Sequence, residues 1–99
     1  MAKRIIWSLK AKHDLRDILK YWDHRNKSKN YSSKLLHIIR DSIKLLADYP
    51  KAARETEIEK VRVRVIKDYQ IFYKERNDAI RILRVWDSRQ DYNKLDLEE

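Results

Sequence analysis

The 99-residue chain contains no glycine, no cysteine and a single proline, Pro50. Without glycine it cannot form the Gly-rich loops with which P-loop and dinucleotide-binding proteins hold phosphates, so nucleotide chemistry of those two kinds is excluded. Without cysteine it has no disulfide, no thiol nucleophile and no thiolate metal ligand. Turns that need a positive φ angle must use other residues, and we expect Asn and Asp there because they tolerate it best after glycine.

Long apolar runs are also missing. No stretch approaches the roughly 20 apolar residues that a membrane-spanning helix needs. The first residues, Met-Ala-Lys-Arg-Ile-Ile-Trp, lack the apolar segment of a signal peptide. The histidines His13, His24 and His37 show neither i,i+4 spacing nor an HExxH pattern. We therefore expect a cytoplasmic protein with no membrane partner, no metal ion and no cofactor.

Charge is plentiful and unevenly distributed. The net charge is +8, and 42% of the residues are hydrophobic, which is enough for one folded domain spanning residues 1–99. Residues 1–50 contain 12 Lys and Arg against 5 Asp and Glu, whereas residues 51–99 contain 12 against 11. This excess favours an anionic partner, either nucleic acid or an acidic protein surface. A surface that only keeps the protein in solution is an equally good interpretation.

Apolar spacing in the first half predicts one strand and two helices. Residues 3–7 are short, apolar and β-branched, which is typical of a strand, and Ser8 can cap a following helix. Apolar residues then recur at helical spacing over residues 10–25 and again over residues 31–49. Pro50 prevents the second helix from continuing. Two long helices joined by about five polar residues usually lie antiparallel.

After a polar loop over residues 51–59, the spacing changes to alternation. Val61, Val63 and Val65 face one side of a predicted strand, and Arg62 and Arg64 face the other. Strands over residues 69–74 and 79–86 follow, joined by predicted turns at residues 67–68 and 77–78. The last strand is apolar on both faces, which predicts a central strand covered on both sides, with Ile80, Ile82 and Trp86 on one face and Leu83 and Val85 on the other.

This order of elements predicts an α+β fold. It consists of an N-terminal strand, an antiparallel helical hairpin and a three-stranded antiparallel meander. The helices pack on one face of a mainly antiparallel sheet.

Several segments of the chain, taken together, carry a resemblance to known proteins. They are Ile-Ile-Trp-Ser at residues 5–8, then Ala11, Asp14, Leu15 and Ile18, Leu-Ala-Asp-Tyr-Pro at residues 46–50, Asp-Tyr-Gln-Ile-Phe-Tyr at residues 68–73, and residues 85–95 from Val85 to Leu95. In this order the segments resemble the RelE/ParE superfamily of toxins from bacterial type II toxin–antitoxin systems. The resemblance extends over nearly the whole chain, and the closing segment is most similar to ParE-like members described as plasmid stabilisation proteins.

The resemblance implies a small cytoplasmic toxin that inhibits bacterial growth and is neutralised by a cognate antitoxin. Two activities are open within the superfamily: action on DNA gyrase, as in the ParE branch, or ribosome-dependent cleavage of mRNA, as in the RelE branch. A non-toxic, basic nucleic-acid-binding module is the alternative from outside the family. We expect an antitoxin to dock on the sheet edges and on the groove beside the helices, and to present an acidic segment to the basic first half.

For the RelE branch, the resemblance assigns four candidate catalytic residues of a metal-independent endoribonuclease: Arg62, Arg64, Arg89 and Tyr92. Such an enzyme aligns the RNA 2′-OH with the scissile phosphate and stabilises the developing charge with cations. The arginine usual just after the tyrosine of the next strand is Gln70 in this chain, and Gln cannot neutralise a phosphate. The residues taken alone allow a structural interpretation, in which Arg62 and Arg64 pair with Glu75 or Asp78 across strands.

Overall fold

A computed structural model describes residues 2–98 of the chain. Helices and strands occur in the predicted order, and each predicted boundary lies within about two residues of the observed one. The 3₁₀ turn Tyr92–Lys94 follows the last strand. The elements are β1 Arg4–Trp7, α1 Leu9–Asn26, α2 Asn30–Asp48, β2 Arg54–Glu55, β3 Val61–Ile66, β4 Tyr69–Arg76 and β5 Ala79–Asp87.

The strands form one five-stranded sheet in the order β1-β5-β4-β3-β2. The predicted α+β class and the antiparallel meander β3–β4–β5 are confirmed. The sheet is mixed, however, because β1 pairs with β5 in parallel. A parallel neighbour needs a long crossover, and the helical hairpin between β1 and the meander supplies it. The two-residue strand β2 lies where we predicted only a loop, and it is too short to show any alternation.

Helix α1 begins where the sequence predicted. The Ser8 hydroxyl accepts a hydrogen bond from the Ala11 backbone N–H at 3.0 Å and donates one to the Leu83 carbonyl at 2.9 Å. One side chain therefore caps the helix and ties its first turn to β5. At the other end, Lys27 takes a left-handed conformation with φ 53° and ends the helix.

The core lies between the helices and one face of the sheet, which we call the inner face. Leu35, Ile39 and Leu46 of α2 are fully buried there against Ile71 and Tyr73 of β4. The opposite, outer face carries a smaller buried group, the outer cluster, on which Leu95 and Leu97 of the C-terminal segment pack. The outer cluster consists of Val61, Val63, Phe72, Leu83 and Trp86.

A bulge in β5 changes which of its residues face the helices. Phe72 pairs with Arg84 and Tyr73 pairs with Ile82, so Leu83 is an extra residue with no partner on β4. Alternation restarts after it, and Val85 joins Ile82 in the inner core. The predicted grouping, in which Trp86 shared a face with Ile80 and Ile82, was wrong for this reason. Burial of β5 on both faces is confirmed.

Lysine takes most of the positive-φ positions in this glycine-free chain. Within the described residues, the backbone is left-handed at Lys27, Lys60, Lys67 and Asn77. Our expectation that Asn or Asp would occupy such positions holds only at Asn77. A left-handed residue with a β-carbon costs about 1–2 kcal/mol, so these turns are held by the surrounding pairing rather than by local preference. None of the helices in residues 2–98 is long and apolar enough to cross a membrane.

The double role of Ser8 leads to a stability prediction. Replacing Ser8 by alanine removes the cap and leaves the Leu83 carbonyl without its donor, so the free energy of unfolding should fall by about 1–2 kcal/mol. Urea unfolding followed by circular dichroism measures it. Ser33→Ala is the matched control, because Ser33 is exposed on α2 and its loss should change stability by less than about 0.5 kcal/mol. Equal effects of the two changes would contradict the capping role.

Candidate functional site

Two of the four candidate residues, Arg62 and Arg64, project from the inner face of β3. Their cross-strand partners are Tyr73 and Ile71, which are core residues of that face. The Arg62 guanidinium donates to the Ala53 carbonyl at 2.7 Å and forms an ion pair with Glu55 at 3.2 Å. The cationic side of β3 therefore faces the helical layer, and Arg62 is held by the chain that includes β2.

The structural interpretation of Arg62 and Arg64 named the wrong carboxylates. Glu75 pairs with Lys3 and Asp78 pairs with Arg4, each at 3.2 Å. These contacts join β1 to the β4–β5 hairpin instead of neutralising β3. Arg64 is half-buried, and its Nε atom is buried with no hydrogen-bond partner among the described residues. A guanidinium in this state retains an unused donor, although solvent and ligands do not reach that atom directly.

Arg89 lies just beyond β5 and is bound to Asp87. Its Nε and one terminal nitrogen contact the two Asp87 carboxylate oxygens at 3.0 and 2.7 Å, and its backbone N–H adds a bond at 2.9 Å. The hydrogen bonds from Arg89 lower the pKa of Asp87, against an opposing effect of burial. The same contact raises the pKa of Arg89. A phosphate would therefore have to compete with an existing carboxylate for this guanidinium.

Tyr92 lies on the other side of the sheet. Its hydroxyl donates to the side-chain oxygen of Gln70. Gln70 pairs with Trp86 and Val65, so its side chain is on the outer face together with the outer cluster. The residue that replaces the usual RelE-branch arginine is thus the hydrogen-bond partner of the candidate tyrosine.

The structure does not bring the four candidate residues together. Arg62 and Arg64 are neighbours on the inner face of β3, Arg89 is at the end of β5 beside α1, and Tyr92 is on the outer face. Side chains on opposite faces of a sheet point away from each other. The nuclease roles of these residues remain predictions, and the arrangement as it stands offers no common point for one phosphate.

A cavity that the sequence did not indicate lies between α1 and the ends of β4 and β5. Its volume is about 360 Å³. Tyr69 is buried in its wall, and the Tyr69 hydroxyl accepts a hydrogen bond from the Trp22 indole at 2.7 Å. Burial raises the pKa of Tyr69. The alternation of β4 predicted that Tyr69 would share a face with Ile71, but no sequence pattern places Trp22 above it. The residues that line the cavity are Asp14, Asp17, Ile18, Tyr21, Tyr69, Val85, Asp87, Arg89 and Gln90.

The C-terminal segment packs on the outer face of the sheet and contacts the start of α1. Leu95 and Leu97 cover part of the outer cluster. Lys10 at the start of α1 pairs with Asp96 and also donates to the Glu98 carbonyl at 3.1 Å. The only sequence signal for this packing is the alternate spacing of two leucines. Two residues are too few for such a pattern to be specific.

Comparison with known proteins identifies the family. The family model described as ParE toxin of type II toxin–antitoxin system, parDE, matches residues 5–92. The chain therefore belongs to the ParE toxin family, and the RelE/ParE resemblance is confirmed. Eleven chains of solved structures match it. One of them is from a chromosomal ParDE TA system of P. aeruginosa, with 21% identity and a TM-score of 0.75 over 87% of this chain and 96% of that chain. A search of curated proteins finds no match.

The Asp87–Arg89 contact predicts the titration of a single carboxyl group. In Arg89→Ala the pKa of Asp87 should rise, because burial continues to disfavour the charged form after the guanidinium is removed. In the wild type, the lowered pKa stabilises the fold above the unfolded-state pKa of about 4, and this stabilisation is lost as the pH falls through the folded-state pKa. Carboxyl carbon NMR measures the titration, with Arg54→Ala as a control that should leave Asp87 unchanged. An unaltered Asp87 titration in Arg89→Ala would refute the assignment.

Proposed function

We propose that this protein inhibits bacterial growth by binding DNA gyrase, as the toxin of a type II toxin–antitoxin module. The observation that supports this most directly is the placement of Arg62 and Tyr92 on opposite faces of the sheet. Cleavage of RNA needs several groups at one phosphate, whereas poisoning of a protein target needs only a binding surface. Membership of the ParE family supports the same choice.

The segment after β5 has the properties of such a binding surface. Residues 87–91, Asp-Ser-Arg-Gln-Asp, carry both signs of charge, and residues 88–91 are exposed. The Asp87–Arg89 contact fixes one turn of this segment beside the cavity of about 360 Å³. A rigid turn next to a polar cavity loses little conformational entropy on binding, which favours recognition of a folded partner.

RNA cleavage in the RelE manner is the second candidate, supported by the two adjacent cations of β3. For it to operate, Arg62 would have to leave Glu55 and the Ala53 carbonyl, and Arg89 would have to leave Asp87. Both changes need a rearrangement that RNA or the ribosome would have to drive. The basic module without toxicity is the third candidate, and its signature is nucleic-acid binding without growth arrest.

The two activities can be separated in one pair of assays. Purified toxin should produce double-strand DNA breaks in the presence of gyrase, and it should leave mRNA ends unchanged in a translating extract. Arg89→Ala should weaken the gyrase effect, and Arg54→Ala, which removes an exposed arginine of β2, is the matched control. Codon-positioned mRNA cuts that fall by about 10²–10³ in Arg89→Ala would instead establish the nuclease.

We also propose that a cognate antitoxin neutralises the toxin, and the similar structure from a chromosomal ParDE TA system of P. aeruginosa supports this proposal. Its docking site would include the end of α2, where Leu45 and Tyr49 are exposed and Tyr49 lines an apolar groove of about 590 Å³. The neighbouring edge of β1 has backbone groups available for pairing, since β1 has a sheet neighbour on one side only. Large exposed apolar side chains of this kind are typical anchors of protein interfaces.

This docking site leads to a prediction for antitoxin affinity. Tyr49→Ala should weaken binding of the antitoxin encoded next to the toxin gene by about tenfold or more, because a buried tyrosine anchor contributes at least about 1.4 kcal/mol. Tyr21→Ala is the control, since Tyr21 is similarly exposed but lies on α1 beside the other cavity. Calorimetry of the two variants measures the difference. Binding should also tighten at low salt if the antitoxin presents an acidic segment, and equal losses for both tyrosines would exclude the site.

A further inference from the structure

Hydrogen-bond donors follow one exposed flank of α2, from its N-cap residue Lys29 to Lys44 near its end. Lys29, Ser33, His37, Arg40 and Lys44 follow each other at spacings of four, four, three and four, which places them within about 80° of helical rotation. All five are exposed. They extend over about 22 Å along the helix axis. We call these five residues the basic stripe.

Positive charge exceeds negative charge around the basic stripe. Between residues 24 and 47 the only carboxylate is Asp41, which lies at the margin of the stripe, and Asp48 follows one helical turn after Lys44. Arg25, Lys27 and Lys34 add further positive charge. Among the described residues, none of the lysines and arginines from Lys12 to Lys51 forms an ion pair. The ion pairs found connect the strands, the start of α1 and the C-terminal segment.

The chemistry of the stripe distinguishes nucleic acid from protein as its partner. Protein interfaces have apolar or aromatic anchors at their centre and few lysines. None of the large exposed apolar residues described lies between residues 22 and 44. Lysine, arginine and serine side chains are instead the groups that contact DNA phosphates. A surface with donors and no apolar anchor fits a polyanion.

The absence of an exposed aromatic side chain on this described surface also distinguishes duplex from single strand. Single-stranded nucleic acid is usually bound by stacking its bases on aromatic rings. The one aromatic residue of α2's first turn, Tyr31, is turned inward and packs edge-on against Trp22, with ring centroids 4.8 Å apart. Duplex DNA offers its phosphates without unstacking, and a row of cations is sufficient to bind it.

We propose that the basic stripe of α2 binds the sugar–phosphate backbone of duplex DNA without sequence preference. The inference does not depend on gyrase being the target. If both proposals hold, the toxin contacts the DNA on which gyrase acts through α2, and contacts the enzyme through the segment after β5. A variant that no longer binds DNA can still be assayed for gyrase-dependent DNA breaks. The two proposals are therefore tested separately, and either can fail alone.

The test measures binding of the purified full-length toxin to a fluorescent duplex of about 20 base pairs between about 50 and 200 mM salt. The stripe variant combines Lys29→Gln, Arg40→Gln and Lys44→Gln, and glutamine keeps a helix propensity close to that of lysine. The control variant combines Arg54→Gln, Lys67→Gln and Lys94→Gln, which lie outside α2 and remove the same charge. Arg54 pairs with Val63 and so belongs to the outer face.

In the stripe variant, the slope of log affinity against log salt concentration should become less steep by about 0.9 for each DNA phosphate that is no longer neutralised. The affinity at the lower salt concentration should also fall at least about tenfold. The control variant should keep the wild-type slope. Equal reductions of affinity in both variants would overturn the proposal, because net charge alone would then explain binding. So would a wild type that does not bind the duplex at about 50 mM salt, or one that binds single-stranded RNA more than about tenfold tighter.

Discussion

The carboxylate of Asp14 accepts three hydrogen bonds from β5. The helices, the sheet and the C-terminal segment meet at this point. Arg84 donates two of them at 2.7 and 2.8 Å, and the Val85 backbone N–H donates the third at 3.1 Å. The Arg84 guanidinium also donates to the Asp96 carbonyl and lies 5.2 Å from the Trp86 ring. Helix α1, strand β5 and the C-terminal segment thus share one ion pair, whose two side chains are each 15% exposed. Removing one partner of such a largely buried pair leaves an uncompensated buried charge. The resulting loss of folding stability is far larger than the stability that the intact pair contributes.

Periodicity in the sequence was sufficient to predict the helices and the meander, and the residue type of Ser8 was sufficient to predict its capping role. It could not predict which face of the sheet the helices would cover, because alternation separates Val61 and Val63 from Arg62 and Arg64 without saying which set is inside. The arginine side of β3 turned out to face the helical layer, and the valine side forms the outer cluster. The bulge at Leu83 was equally hidden, since one extra residue leaves no mark on composition. The partner of Arg84 is likewise not marked in the sequence, and only the packing of α1 on β5 identifies it as Asp14.

The candidate site shows the same limit more sharply. Resemblance assigned Arg62, Arg64, Arg89 and Tyr92 by their order along the chain, and order does not determine distance across a sheet. In the structure each of Arg62, Arg89 and Tyr92 has a partner within the chain. Arg62, Arg84 and Arg89 of the sheet half each pair with a carboxylate, whereas among the described residues no lysine or arginine from Lys12 to Lys51 forms an ion pair. Positive charge that is not paired within a protein is available to bind a partner. Part of the excess positive charge of the first half of the sequence lies on the exposed side of α2.

The parallel pairing of β1 with β5 determines how early the fold can form during synthesis of the chain. Within residues 2–98, strand β1 has β5 as its only neighbour in the sheet, and Ser8 bonds to Leu83 across 75 positions of the chain. Pairings this distant in sequence form late and slowly, because a large loop must close first. In a nascent chain on the ribosome, β1 cannot pair with β5 until nearly all of the protein has been synthesised. For a toxin of the ParE family, the order of synthesis therefore delays the appearance of the complete fold.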